Sequence, residues 1–310
     1  MGEWSKTIGE YGEETVSNFL KLIGWGEAPR NIPVECLKQK EHAKKAQTRQ
    51  THGIDFFFSY LSPLADNTLK KIYISSKYTT AAYPTSPNGK FHEYVEELCW
   101  TIDCFRFSER KSELISSFRG YNHVDEEGVI FWLSNDENTY DDLIQKLRTT
   151  NTALEGPIKT LYLVDNKKIS FITSAIRYVQ LKYPNQKIDF YYQSTGKNIN
   201  PTHSNDFGKI LPVEFLTANI LPIRIEDSFG KSGLVLFSTD PFNQTDLKRL
   251  IGLAKELTKS WTGVVDISFP DYDKLSHEPE VRQVKSSFST SFSTENLIVT
   301  CYNPSFKSIN

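Results

Sequence analysis

The chain has 310 residues, a formal net charge of −2, a hydrophobic fraction of 38% and a charged fraction of 24%. This composition excludes a disordered chain, and the length predicts two domains of ordinary size. The near-neutral charge argues against a generally basic nucleic-acid coat protein, although it is compatible with a local basic cleft.

Targeting signals and cysteine pairs are both missing from the sequence. No run of about 18 apolar residues is present, and the first residues lack the basic and apolar regions of a leader, so we expect a cytoplasmic protein with no membrane span. The four cysteines, Cys36, Cys99, Cys104 and Cys301, form no CxxC pair and lack the clustered Cys/His spacing of a zinc site. We therefore expect free, mostly buried thiols.

Residues 52–78 form the most informative stretch. Two apolar, aromatic and β-branched runs flank a polar turn, which predicts a β-hairpin. Asp55 begins the first strand directly after Gly53-Ile54, and Lys77 lies near the end of the second. An acid and a lysine on neighbouring strands at one rim of a sheet are typical of metal-dependent phosphodiesterases, in which the lysine can orient a water beside a divalent ion.

Residues 4–23 are predicted to form an amphipathic helix with Gly9 and Gly12 on or beside its apolar face. Glycine disfavours a helix by about 1 kcal/mol relative to alanine, so we expect a close approach of this helix to a sheet. Glu13 lies at the edge of the apolar face. The alternative interpretation is that Glu10, Glu13 and Glu14 are simply acids favoured near a helix N-terminus.

A basic segment precedes the hairpin. A short strand is predicted over 31–37, and five basic residues follow it: Lys38, Lys40, Lys44, Lys45 and Arg49. Such a run is usually a solvated surface. Because this one leads into Asp55, we predict that Lys44, Lys45 and Arg49 contact a phosphate backbone. His52 is a further candidate for a phosphate contact, or else a hydrogen-bonded cap before a glycine.

The rest of the first half completes an α/β domain over 1–150. A helix is predicted over 90–105, a strand over 128–134 and a helix over 139–147. Glu93, Glu96 and Glu97 lie opposite the apolar face of the first of these helices. The polar stretch 149–157 is predicted to be a linker.

The second half, 157–310, is predicted to be another α/β domain with a mostly parallel sheet. Helices are expected over 169–181 and 244–261. Strands are expected over 159–164, 187–192, 210–225 with a break at Pro222, 234–238, 264–269 and 297–302. This half carries no phosphate-binding loop or catalytic signature. Recognition, dimerisation and partner docking are its candidate roles.

The order Gly12-Glu13, then Gly53-Ile54-Asp55, then Ser75-Ser76-Lys77 resembles the PD-(D/E)XK superfamily, the fold of restriction endonucleases and Holliday junction resolvases. The resemblance implies a restriction-endonuclease-like first domain. It also implies that Asp55 and Glu13 hold Mg²⁺ or Mn²⁺ and that Lys77 is the catalytic lysine.

One position departs from that family. Ser75 stands where the family usually has an acid, and serine is a poor ligand for a hard cation. Three explanations are open. A backbone carbonyl near Ser75 could complete the site, a glutamate from the following helix (Glu93 or Glu96) could replace the acid, or the domain could bind DNA without cutting it.

We therefore predict a metal-dependent DNA endonuclease. It resembles subunits of bacterial anti-phage defence systems, which implies a homo-oligomer or a complex with a partner encoded nearby. The alternative is a non-catalytic DNA-binding or scaffolding subunit that regulates a partner nuclease. No set of residues in the second half supports a small-molecule enzyme.

Overall fold

The computed structural model describes residues 2–43, 48–136, 142–150, 158–200, 206–258, 263–288 and 295–303. The chain divides into two compact units. The first comprises Met1–Ile169, Thr195–Ser204 and Pro212–Thr217, and the second Ser170–Ser194, Asn205–Leu211 and Ala218–Asn310. Most of the predicted linker lies outside the described residues, and the predicted boundary stays a prediction. Every helix within the described ranges is too short or too polar to span a bilayer.

The first unit contains a five-stranded mixed sheet in the order β1-β2-β3-β4-β5. The strands are β1 Arg30–Glu35, β2 Thr51–Leu61, β3 Thr68–Thr79, β4 His123–Ser134 and β5 Thr160–Val164. The first three pair antiparallel, whereas β3, β4 and β5 pair parallel. The central strands are therefore buried on both faces, as their apolar sequences require.

The predicted hairpin is formed by β2 and β3. The Ser62 N–H donates to the Thr68 carbonyl over 2.8 Å, and Asn67 adopts a positive φ of 51°, which closes the turn. Phe56 pairs with Ile74 at the end of the paired register, and Asp55 lies one residue beyond it. Because side chains alternate along a strand, Ser75 and Lys77 project from the same face of β3. Ile54 and Phe57 both join the core packed under α2, so β2 departs from simple alternation around Asp55.

Helices cover both faces of this sheet. Those described up to residue 150 are α1 Gly2–Leu22, α2 Asn88–Phe105, α3 Glu109–Ile115 and α4 Leu143–Leu147. Phe19 of α1 contacts Phe131 of β4, with 5.8 Å between ring centroids. Phe105 of α2 contacts Tyr73 of β3 at 6.0 Å, on the opposite face. The result is a three-layer arrangement in which α2 lies over the face that carries Lys77.

The second unit contains a six-stranded sheet in the order β11-β10-β9-β8-β6-β7. Its strands are β6 Lys187–Tyr191, β7 Phe207–Gly208, β8 Ile220–Glu226, β9 Ser232–Ser238, β10 Val265–Phe269 and β11 Leu297–Cys301. Only β9, β10 and β11 pair parallel; the remaining pairs are antiparallel. The sheet is mixed, and the expectation of a mostly parallel sheet is not confirmed.

The short connection between β8 and β9 explains why these two strands pair antiparallel. Asp227 accepts from the N–H groups of Phe229 and Lys231, and Gly230 adopts a positive φ of 78°. This tight turn joins antiparallel neighbours, whereas a parallel pair needs a long crossover. Parallel pairing appears where α6 Gln244–Leu257 and α7 Lys274–Phe288 connect the last three strands; α5 Asn166–Lys182 precedes the sheet.

One sequence expectation is wrong, and two helices were missed. Pro222 lies within β8 instead of interrupting a strand, and a 3₁₀ turn, Val213–Leu216, precedes that strand. Helices α3 and α7 were not predicted. In α3 no residue is buried, and in α7 only Val281 and Val284 are, so neither presents a continuous apolar stripe.

The close approach expected of the first helix occurs at Gly12. A Cβ atom there would lie 2.4 Å from the Cβ of Tyr78, whereas one at Gly9 would meet no atom within 4 Å. We predict that Gly12→Ala destabilises the chain by about 1–3 kcal/mol, because α1 must move off β3. Urea unfolding followed by fluorescence measures the change in free energy.

Gly9→Ala is the matched control for this test. It adds a good helix former in open space, so it should stabilise the chain by up to about 1 kcal/mol. Equal effects of the two substitutions would show that α1 does not pack closely against β3 at Gly12.

Candidate active site

Asp55 is the central acid of the candidate site. Its Oδ2 accepts the backbone N–H of Ser76 over 2.6 Å. Burial raises the pKa of the Asp55 carboxyl above its usual range; the Ser76 hydrogen bond and the charge of Lys77 oppose this rise, and the carboxylates of Glu13 and Glu97 add to it. The side chain is therefore a partly buried acid within electrostatic reach of one cation and two further acids.

Lys77 lies beside Glu97 of helix α2. Its Nζ is 3.2 Å from Glu97 Oε2, and it stands 5.2 Å from the ring centroid of Tyr94. The side chains of Lys77 and Glu97 are 24% and 27% exposed, so the pair can be reached from solvent. Lys77 and Glu97 thus meet between β3 and α2, within electrostatic reach of Asp55.

Glu97 was not among the acids that the sequence proposed as a substitute at Ser75. Of the two candidates, Glu93 forms an exposed ion pair with Lys90 at 2.8 Å, and Glu96 is exposed. The sequence did contain a signal for Glu97. It lies three residues after Tyr94 and four before Thr101, and Thr101 is on the buried side of α2. Residues three or four apart are neighbours on one face of a helix. Glu97 therefore borders the face that packs on the sheet.

Arg49 also contacts Glu97. Its guanidinium lies 3.5 Å from Glu97 Oε1, and its Nε donates to the Thr51 carbonyl over 3.2 Å. The basic segment before the hairpin thus approaches the candidate site through Arg49. Lys44 and Lys45 lie outside the described residues.

Glu13 is the acid of helix α1 whose charge reaches Asp55. Its side chain is half-buried, and its Oε2 accepts from Asn31 Nδ2 over 3.4 Å. Glu14 instead forms an ion pair with Arg30 at 3.3 Å, with both side chains exposed. This difference matches the expectation that Glu13 lies at the edge of the apolar face.

His52 is buried, with 4% of its surface exposed, and its Nε2 is 3.3 Å from Nδ1 of His42. Its ring thus faces other buried side chains, which is not where a phosphate contact would place it. Burial lowers the pKa of His52 to about 4 and also lowers the pKa of His42, so both imidazoles are neutral near pH 7.

Cys36 and Cys104 complete a buried group with these two histidines, and their ligand atoms all lie within 4.8 Å of one another. The thiols are free and Cys36, Cys99 and Cys104 are buried, as expected. The clustering was not foreseen, because the spacing rule looks for ligands that are near in sequence. Here Cys104 comes from α2, 62 positions after His42.

A family model described as the GAPS4 protein PD-(D/E)XK nuclease domain matches residues 1–168, more than half of the chain. No match was found among curated proteins or among solved structures. The matched region contains Glu13, Asp55, Ser75, Lys77 and Glu97. The match confirms the resemblance to the PD-(D/E)XK superfamily that was drawn from the sequence motifs. The chain therefore belongs to the family of GAPS4 PD-(D/E)XK nuclease domains.

Proposed function

We propose that this chain is a metal-dependent DNA endonuclease of an anti-phage defence system. The observation that supports this most directly is the contact of Lys77 Nζ with Glu97 Oε2 at 3.2 Å, within electrostatic reach of Asp55. In this proposal Glu97 supplies the carboxylate that the family motif lacks at Ser75. It would do so from a helix instead of from the strand itself.

The donor set suits a hard divalent cation. Asp55, Glu13 and Glu97 offer carboxylate oxygens, the ligands that Mg²⁺ and Mn²⁺ prefer. The raised pKa of Asp55 reflects burial and repulsion by the two other acids, and a cation among them would relieve that repulsion. We assign Asp55 and Glu13 as the metal ligands, with Glu97 as the further acid.

The protein groups have separate roles in phosphodiester hydrolysis. When bound, the ion acts as a Lewis acid and lowers the pKa of a water. Lys77 orients the attacking water and offsets charge on the phosphate in the transition state. Glu97 holds the ammonium of Lys77 in place, and the N–H of Ser76 fixes the orientation of Asp55.

DNA would be held by the basic segment that leads into the hairpin. Arg49 reaches Glu97, so a backbone phosphate bound by Lys44, Lys45 and Arg49 would lie close to Lys77. The second unit would serve recognition, dimerisation or docking of a partner subunit encoded nearby.

A non-catalytic DNA-binding or scaffolding subunit is the second candidate. Glu97 is paired with both Arg49 and Lys77, at 3.5 and 3.2 Å. Such a double ion pair could preserve the fold of a degenerate site without a metal. The two candidates differ in whether the chain binds Mn²⁺ through Asp55, which electron paramagnetic resonance of the wild type and Asp55→Asn can decide.

We predict that Asp55→Asn and Lys77→Ala each abolish cleavage, because the first removes a metal ligand and the second removes the charge that orients the water. The assay uses supercoiled, linear and single-stranded DNA with Mg²⁺ or Mn²⁺, with and without the product of the adjacent gene. Circular dichroism controls for the fold. Cleavage at the wild-type rate by either folded variant would refute the assigned site.

We predict that Glu97→Gln lowers the cleavage rate about 10–100-fold, the usual effect of losing a group that positions a catalytic residue. Glu96→Gln is the matched control, since Glu96 is exposed on the same helix, and it should cut at the wild-type rate. If the two variants behave alike, Glu97 has no special role and another group must replace the acid at Ser75.

We predict that replacing Lys44 and Lys45 together by alanine weakens DNA binding for all sequences. The slope of log affinity against log salt concentration should fall by roughly 2, because two phosphate contacts no longer release counterions. Lys21→Ala, at the end of α1, serves as the control and should leave the slope unchanged. An unchanged slope in the double variant would remove these lysines from the DNA interface.

A further inference from the structure

The buried cluster of Cys36, His42, His52 and Cys104 shares no residue with the carboxylate site. Cys36 and His42 lie in the segment 36–42 after β1, His52 is the second residue of β2, and Cys104 is the penultimate residue of α2. All four side chains are buried, and their ligand atoms lie within 4.8 Å of one another. Three separate parts of the first unit thus converge on one point.

Hydrogen bonding alone does not account for this convergence. Nδ1 of His42 is 3.5 Å from Cys36 Sγ, 3.5 Å from Cys104 Sγ and 3.3 Å from His52 Nε2. One nitrogen of a neutral imidazole offers either a single N–H or a single lone pair, so at most one of these contacts is a hydrogen bond. In addition, Nδ1 of His52 is buried and finds no hydrogen-bond partner among the described residues.

Tetrahedral zinc coordination explains the same distances. Zinc bonds of about 2.3 Å to sulfur and about 2.0–2.1 Å to nitrogen give edges of about 3.6 Å between sulfur and nitrogen and about 3.3 Å between two nitrogens. The three contacts of His42 Nδ1, at 3.5, 3.5 and 3.3 Å, agree with these edges. Two thiolates and two imidazoles are a donor set that selects zinc over Mg²⁺.

The surroundings of the cluster suit a bound metal. The backbone N–H of Leu37 donates to Cys104 Sγ over 3.4 Å, a contact that stabilises a thiolate. The indole of Trp100 stacks on the His42 ring, with centroids 5.2 Å apart and planes 16° apart, which fixes the ring and excludes water.

We propose that Cys36, His42, His52 and Cys104 bind a structural Zn²⁺ ion that ties the segment 36–42 to helix α2. Lys38 already pairs with Asp103 of α2 at 2.7 Å, with the Lys38 side chain 48% exposed, and the Arg49 N–H donates to the Gln39 carbonyl at 3.0 Å. A buried metal would add a second and stronger connection between this segment and α2. The ion would thereby fix Arg49 beside Glu97.

The direct test is the metal content of the full-length wild-type chain, produced with a tag that contains no histidine in zinc-supplemented medium. Mass spectrometry of the elements should find about one zinc per chain. The double variant Cys36→Ser/Cys104→Ser should lose it. Cys99→Ser, a buried cysteine of the same helix outside the cluster, should keep it, and so should Asp55→Asn.

A second measurement, on the wild-type chain, tests the proposal even if the double variant does not fold. Wild-type chain reconstituted with Co²⁺ should show the visible bands of tetrahedral cobalt together with thiolate charge transfer. A wild-type chain that holds no zinc and shows no such spectrum overturns the proposal. Recovery of a Cys36–Cys104 disulfide in folded, metal-free chain does so too, as does equal zinc loss in Cys99→Ser.

Discussion

The register of the β2–β3 hairpin is the constraint on which the candidate site depends. Pairing of Phe56 with Ile74 lets the Asp55 carboxylate accept the N–H of Ser76, next to Lys77. A shift of one residue would move Asp55 away from that N–H and would turn the paired side chains of β2 to the other face of the sheet. The buried aromatic residues on both sides of the hairpin therefore fix the chemistry as well as the fold, because they permit only this register.

Glu97 of α2 connects the hairpin to the basic segment that precedes it. It contacts Lys77 on β3 and Arg49 at the end of the basic loop, while its own helix packs over the same face. Two cations stabilise this partly exposed carboxylate, so the loop, the strand and the helix are joined through one side chain. The proposed zinc site would strengthen this arrangement, since it joins the same loop to the same helix.

The two units differ in how far their organisation explains a function. In the first unit, Glu97 and Arg49 lie next to Lys77 of the family motif. In the second, buried acids have structural partners: Asp266 accepts from Tyr178 at 3.0 Å, Tyr183 at 3.0 Å and Lys182 at 2.9 Å. Such a paired network stabilises a sheet and a helix against each other.

The sequence by itself determined the hairpin, the helices with a continuous apolar stripe, and the positions of Asp55, Lys77 and Glu13, because alternation and helical periodicity are local properties of the chain. Only the tertiary structure decided which acid accompanies Lys77. Glu97 lies 20 positions away, and its neighbours Glu93 and Glu96 have the same local pattern. The Cys/His cluster was likewise decided by packing, since a strand end, a loop and a helix end must meet before four ligands become one site. Sequence patterns report which face a residue occupies, whereas the distances between faces depend on how the elements pack.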